Sequence, residues 1–374
     1  MKRSTLGLLL SCALVSGAGY AAPVQLSSFG NLPDDTEVNG FHGTFLYGQT
    51  GTVNGVDMPI LGYTEMDKLN GLELGVGGDH IRNGMNGMAL NLFNWHGGED
   101  NGLNIGLANQ LGNLNGASIG LYSGTANMTG LNLGLANTTA NATGWNLAGL
   151  GNYSTGNITG LNTVGLGNDT EGSIYGANIV GVGNYTGGEV KGVNVAPLNW
   201  TAGNTQGLNV SLLNHTADVQ GVNIGALGNW SEGKITGVNA GIVNVSGDVT
   251  GLNVAGFNKS GNMTGANISA LNWTGDVTGF NMGAINLSHD VTGMNLGAFN
   301  VANNVTGMNL GVVNMSTGSS TFDFGLLNSA SATNFQIGLV NVTNNLEGLQ
   351  IGLINVATNA AVPVLPIANF HRSF

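Results

Sequence analysis

Charge, aromatic rings, proline and cysteine are all scarce in this chain. Of 374 residues 7% are charged and 6% aromatic, with six Pro and one Cys. Low charge argues against disorder, because disordered chains are polar and highly charged. The one cysteine, Cys12, lies in the leader described below. The exported product therefore needs no disulfide, thiolate metal site or redox pair. Lys and Arg number 8 against 20 Asp and Glu. So acidic a surface excludes nucleic acid and anionic lipid as partners. After the leader no apolar run approaches the roughly 18 residues of a membrane-spanning helix. His42, His80, His96, His215, His289 and His371 are scattered, without metal-ligand spacing. Glu99 and Asp100 are neighbours, so on a strand they point to opposite sides. Neither an enzyme, a cofactor nor a metal centre is expected.

Glycine, by contrast, is abundant at 65 residues. The chain starts with Lys2 and Arg3, an apolar stretch from Leu6 to Val15, and Gly19-Tyr20-Ala21. This reads as a secretory signal over residues 1–21, cleaved after Ala21. Leu9-Leu10-Ser11-Cys12 makes a poor lipoprotein box, because Leu10 is large and the stretch before it is short. The exported chain is expected at the cell surface, associated with the outer membrane, or outside the cell.

The rest is a repeat, and repeats decide architecture before local structure does. Gly237, Gly251, Gly265, Gly279, Gly293 and Gly307 begin units 14 residues apart, whereas Gly144, Gly160, Gly176 and Gly192 are 16 apart. The longer units carry their extra residues just before the second Asn, as in Leu150-Gly151-Asn152, which marks a corner. Counting the glycine as place 1, apolar residues fall at places 2, 4, 7 and 13, and Asn at places 3 and 8. Leu252-Asn253-Val254 alternation is strand-like. Recurrent Gly, Asn and β-branched residues exclude helix. The sequence thus predicts an all-β fold, a β-solenoid of about 22 coils with repeats of 14–16 residues. Stacking at about 4.8 Å makes a rod on the order of 100 Å. Its thin core is expected from the apolar places, with the Asn columns bonding up and down the rod. Residues 22–39 are expected to cap the first coil, 40–361 to form the array, and 362–374, with Pro363 and Pro366, to cap the last. The alternative is an outer-membrane β-barrel, to which the terminal Phe374 points.

Gly348-Leu349-Gln350-Ile351-Gly352-Leu353-Ile354-Asn355, followed by Val364 to Phe370, resembles the end of bacterial surface repeat-containing proteins. The resemblance covers most of residues 71–370. It implies export and repeat architecture, and no activity. Those proteins often carry basic residues in the connecting turns, where this chain has Asp, Asn and Ser, so the resemblance implies no shared partner.

Tyr153, Tyr185, Trp200, His215 and Trp230 follow the second Asn of their units, with Trp95 and Trp273 further off. In a solenoid they are expected along one corner, as a row of rings able to stack on sugars. The expected function is that of a surface-associated structural or adhesive protein, a monomer whose partner is a cell-surface glycan or another surface protein. An ice-binding solenoid is the alternative, resting on the column Thr250, Thr264, Thr278, Thr292 and Thr306. Asp218, Asp248, Asp276 and Asp290 are expected each to bond its own turn, with Ca²⁺ between Asp276 and Asp290 as the competing reading. Triplets such as Asn127-Met128-Thr129 and Asn272-Trp273-Thr274 are read as corner hydrogen bonds rather than glycosylation acceptors.

Overall fold

The computed structural model describes residues 21–371; the expected leader, apart from Ala21, lies outside them. About 80% of the described residues are strand, and the fold is a β-solenoid of about 22 turns. Two compact units, Met1–Gly188 and Glu189–Phe374, are built from the same coil.

Parallel pairing at an offset of one coil defines the architecture. Val249–Ser260 pairs with Met263–Thr274 as Val249↔Met263, Gly251↔Gly265, Asn253↔Asn267 and Asn258↔Asn272. In the first unit Gly144↔Gly160 and Asn146↔Asn162 repeat this, and then Gly160↔Gly176 and Asn162↔Asn178. Neighbouring strands of an outer-membrane barrel run antiparallel. The barrel alternative is therefore overturned.

The interior is the reverse of the one expected. Of the four apolar places only place 13 points inward: Val249, Met263, Val277, Val291 and Val305 are each about 1% exposed and form one column. Leu252, Val254 and Phe257, at places 2, 4 and 7, face outward, while Asn253 and Asn258 are fully buried. Strand alternation leaves two choices of face, and two features select this one. The first is Gly at place 1, which shares the parity of places 13 and 3. Gly265 has φ +124°, and a Cβ there would overlap the carbonyl oxygen of Gly251 on the preceding coil. Successive coils thus stack backbone on backbone at place 1, where no side chain fits. The second is amide self-pairing. Asn272 Nδ2 donates to Asn286 Oδ1 at 2.8 Å, Asn286 to Asn300 at 2.8 Å, and Asn300 to Asn314 at 2.8 Å. Each also donates to a main-chain carbonyl at the corner, as Asn286 does to Leu296 O at 2.9 Å. A buried amide so satisfied carries no desolvation debt.

Gly265→Ala is expected to lose roughly 2–3 kcal/mol locally, since it combines a conformation rare for L-residues with a backbone overlap. Faster hydrogen exchange in the flanking coils is the readout; unchanged exchange would contradict the close approach.

The inserted residues sit at the corner, as expected. In the longer coils Ala148, Val164 and Val180 turn inward there and are buried. At the start, Ala22–Ser27 lies parallel on Glu37–Thr44, pairing Gln25 with His42, so the segment expected as a cap supplies a stacked strand. At the other end Val364–Phe370 runs antiparallel along Val340–Ala357, which occupies the last strand edge.

Candidate functional site

Around a coil the outward places run 14, 2, 4, 6, 7 and 9, followed by the corner at 11 and 12. The five aromatic candidates all occupy place 9, which lies on a strand and not at the corner as expected. In the first unit Tyr153 aligns with Asp169, and Asp169 with Tyr185, so the two tyrosines are not neighbours. Tyr153 Oη donates to Glu171 Oε1 at 2.6 Å, and this bond raises the phenol pKa. In the second unit Trp200, His215 and Trp230 fall on three successive coils, continued by Val245, Lys259 and Trp273. Trp200 and His215 stack with ring centroids 4.5 Å apart. Stacking along the row occupies ring faces that a sugar would need. Trp230 and Trp273 are 57% and 55% exposed, with the Lys259 ammonium 5.3 Å from the Trp273 ring.

Beside this row lies an apolar corner. Leu212, Ile242, Val312, Leu326 and Leu339 project from it, each close to half exposed. A groove of about 750 Å³ runs between Met282, Leu296 and Leu310 on one side and Ala298 and Val312 on the other, floored by Gly283, Gly297 and Gly311.

The opposite corner is polar. Its Asp residues bond the next coil's turn, not their own. Asp248 Oδ1 accepts from Asn262 N, Asn262 Oδ1 from Asp276 N, Asp276 Oδ1 from Asp290 N, and Asp290 Oδ1 from Asn304 N. Hydrogen bonds from the Asn304 amides outweigh partial desolvation and hold the Asp290 carboxyl below its usual range. His289 Nδ1 lies 2.8 Å from Asp276 and 3.8 Å from Asp290, a trio of exposed ligand-type atoms. The threonine column is in register and faces outward, as a single row. Of the two Asn-x-Thr examples, Asn127 is exposed, whereas Asn272 sits inside on a strand.

Scattered in sequence, the histidines and acids of the first coils meet inside the first unit. Places 3, 8, 10 and 13 point inward, and there the Asn, Thr and apolar residues are replaced by ionisable ones. His42 Nδ1 lies 2.5 Å from Asp57 Oδ1, and its Nε2 2.9 Å from Ser27 Oγ. The order Ser–His–Asp has the look of a nucleophilic triad. However, Ser27 Oγ donates to Asn31 Oδ1 at 2.7 Å, so its proton is committed away from the imidazole. All three side chains are buried, with Ser27 3% exposed. The arrangement is an interior bracket, not an accessible nucleophile.

Further along, His96 bridges two carboxylates, with Nε2 2.9 Å from Asp79 Oδ2 and Nδ1 2.5 Å from Asp100 Oδ2. Asn104 Nδ2 and the amides of Met85 and Trp95 supply further donors to the same carboxylates. Burial alone would depress the imidazolium, but the charge of Asp79 and the bonds to both acids hold His96 up at about 10. Glu73 lies in the same interior and accepts from Asn91 Nδ2 at 2.9 Å. Burial, with the charges of Asp79 and Asp57, pushes its carboxyl well above the usual range. Burial also raises Asp57, against the bond from His42. Glu99, adjacent to Asp100 in sequence, faces out, as strand alternation requires.

No family model matches the chain, and no curated protein or solved structure shows significant similarity to it.

Proposed function

We propose that the chain is an exported, surface-associated structural and adhesive protein. The observation that carries this reading is the recurrence of the outward rows. Coil after coil presents apolar side chains at places 2, 4, 6 and 7, for example Phe280, Met282 and Ile285 and then Met294, Leu296 and Phe299. Identical weak contacts repeated at about 4.8 Å intervals suit adhesion, where many engagements add without any one being strong. Solvent-exposed apolar area on this scale is the usual mark of an interaction surface. The aromatic row at place 9 is the glycan-facing candidate within that reading, through Trp230 in particular, whose ring is the most exposed of the five candidates.

Protease treatment of intact cells is expected to digest the protein, and its deletion to reduce attachment to surfaces. Protection of the chain in intact cells would sink the proposal. For the glycan part, the combined change Tyr185→Ala, Trp200→Ala and Trp230→Ala is expected to abolish any glycan-array signal. Binding that survives the triple change would remove the aromatic row from the function.

A further inference from the structure

The perimeter of the Glu189–Phe374 unit is divided by polarity with no exceptions over a long stretch. From Leu208 to Ile354 every residue at places 2, 4, 6 and 7 is apolar or Gly. Charged side chains in the same stretch fall elsewhere: Asp218, Glu232, Lys234, Asp248, Asp276 and Asp290 at the polar corner, Lys259 at place 9, Glu347 at place 14, and Asp323 inside. Trp200, Trp230 and Trp273 stand on the border between the two, at the next outward place beyond the apolar corner and the last before the polar one. Tryptophan takes that position where hydrocarbon meets headgroups, because its ring is apolar and its N–H requires a polar partner.

We propose that the apolar corner of this unit seats on a zwitterionic lipid surface, with the three indoles at headgroup level. The proposal rests on the surface-associated reading above and names what that surface is. Three features favour lipid over a second copy of the chain. Main-chain N–H and C=O groups at the corner are paired from coil to coil, as Leu326 N is to Val312 O and Leu339 N to Leu326 O. The corner therefore enters hydrocarbon without leaving backbone groups unpaired. Copy-to-copy packing would bury the same corner but gives no role to indoles along its border. Finally, acids outnumber bases at the polar corner, and Lys259 is the one Lys or Arg of the stretch in the indole row, so little attracts anionic headgroups.

The test is flotation of the purified protein with phosphatidylcholine vesicles, and with vesicles containing phosphatidylglycerol in addition. We expect the protein to float with pure phosphatidylcholine and no more strongly with the anionic mixture. Tryptophan emission should be quenched more by lipids brominated near the headgroup than by lipids brominated deep in the chain. Leu326→Glu with Leu339→Glu alters only outward side chains. It should leave the β-sheet circular dichroism unchanged and cut the floated fraction at least tenfold. Binding that requires phosphatidylglycerol, or a double variant that floats like the parent, would overturn the proposal. So would a parent that self-associates without floating and that the double variant renders monomeric, which would assign the corner to a second copy. A chain digested on intact cells that fails to float loses the lipid proposal alone, whereas one that floats yet is protected in cells loses the surface reading.

Discussion

Asn300→Leu is expected to destabilise its coils by about 3–5 kcal/mol, whereas Phe299→Asn, one residue away, should cost less than about 1 kcal/mol. Ordinary expectation about cores runs the other way. Asn300 is fully buried and accepts from Asn286 Nδ2 while donating to Asn314 Oδ1 and Leu310 O. A leucine of similar length leaves Asn314 Oδ1 without its donor and one Asn286 N–H without its acceptor, each at about 1–3 kcal/mol, and so breaks the ladder on both sides. Phe299 is half exposed and packs into no closed space, so an amide there trades one solvated surface for another. Since solenoid stability is a sum over coils and their interfaces, hydrogen exchange resolved to the segment around 286–314 is the suitable measurement. Equal exchange rates in the two variants would refute the inside-out arrangement.

That comparison also marks where the sequence was legible and where it was not. Repeat spacing fixed the coil length, the stacking register and the corner at which Leu150-Gly151 is inserted, because stacked coils align equal places whatever those places contain. It could not fix the parity of the strands. Leu252-Asn253-Val254 reads equally well with either face inside, and the general preference for apolar cores chose the wrong one. The deciding signal was present in Gly251 and Val249, which share a face with Asn253: one wide and one vanishing side chain describe a narrow interior, which amides fill by pairing with each other.

The error in parity carried into the sites. With the core expected from the apolar places, His42 read only as one of six scattered histidines and Asp57 and Glu73 drew no reading, although the three occupy one interior column in register. With place 9 assigned to a corner, Trp200, His215 and Trp230 read as a corner row of sugar-stacking rings, whereas they lie in register on a strand beside the apolar corner. Once the interior places are known, any ionisable residue at 3, 8, 10 or 13 is flagged by sequence alone. Asp323 at place 3 of the second unit is one: Ser320 Oγ and Gln336 Nε2 bond it at 2.6 and 3.1 Å, and burial raises its carboxyl.

The strongest consequence concerns His96, the cation between Asp79 and Asp100. His96→Thr installs the common resident of place 10 but leaves two carboxylates buried without their counter-charge, an expected loss of about 3–5 kcal/mol in the surrounding coils. Adding Asp79→Asn and Asp100→Leu restores the residue types of the next coil, where Asn94 aligns with Asp79 and Leu114 with Asp100. The triple variant should equal or exceed the parent, because a well-packed replacement no longer bears the desolvation of three charges. The pH dependence has a definite sign. An unfolded imidazole loses its proton near 6.5, while folded His96 keeps it to about 10. The folded state therefore binds the extra proton between these values, and stability that is complete below pH 6.5 falls by about 1.4 kcal/mol per pH unit up to pH 10. Glu73, also raised, adds a loss of the same sign above its unfolded value of 4.5. Limited proteolysis or hydrogen exchange across residues 78–105, followed from pH 6 to 10, should show progressive opening in the parent. In the triple variant the His96 part of that slope should vanish. A parent whose protection stays flat over that range would mean that the bridge is not charged as the geometry requires.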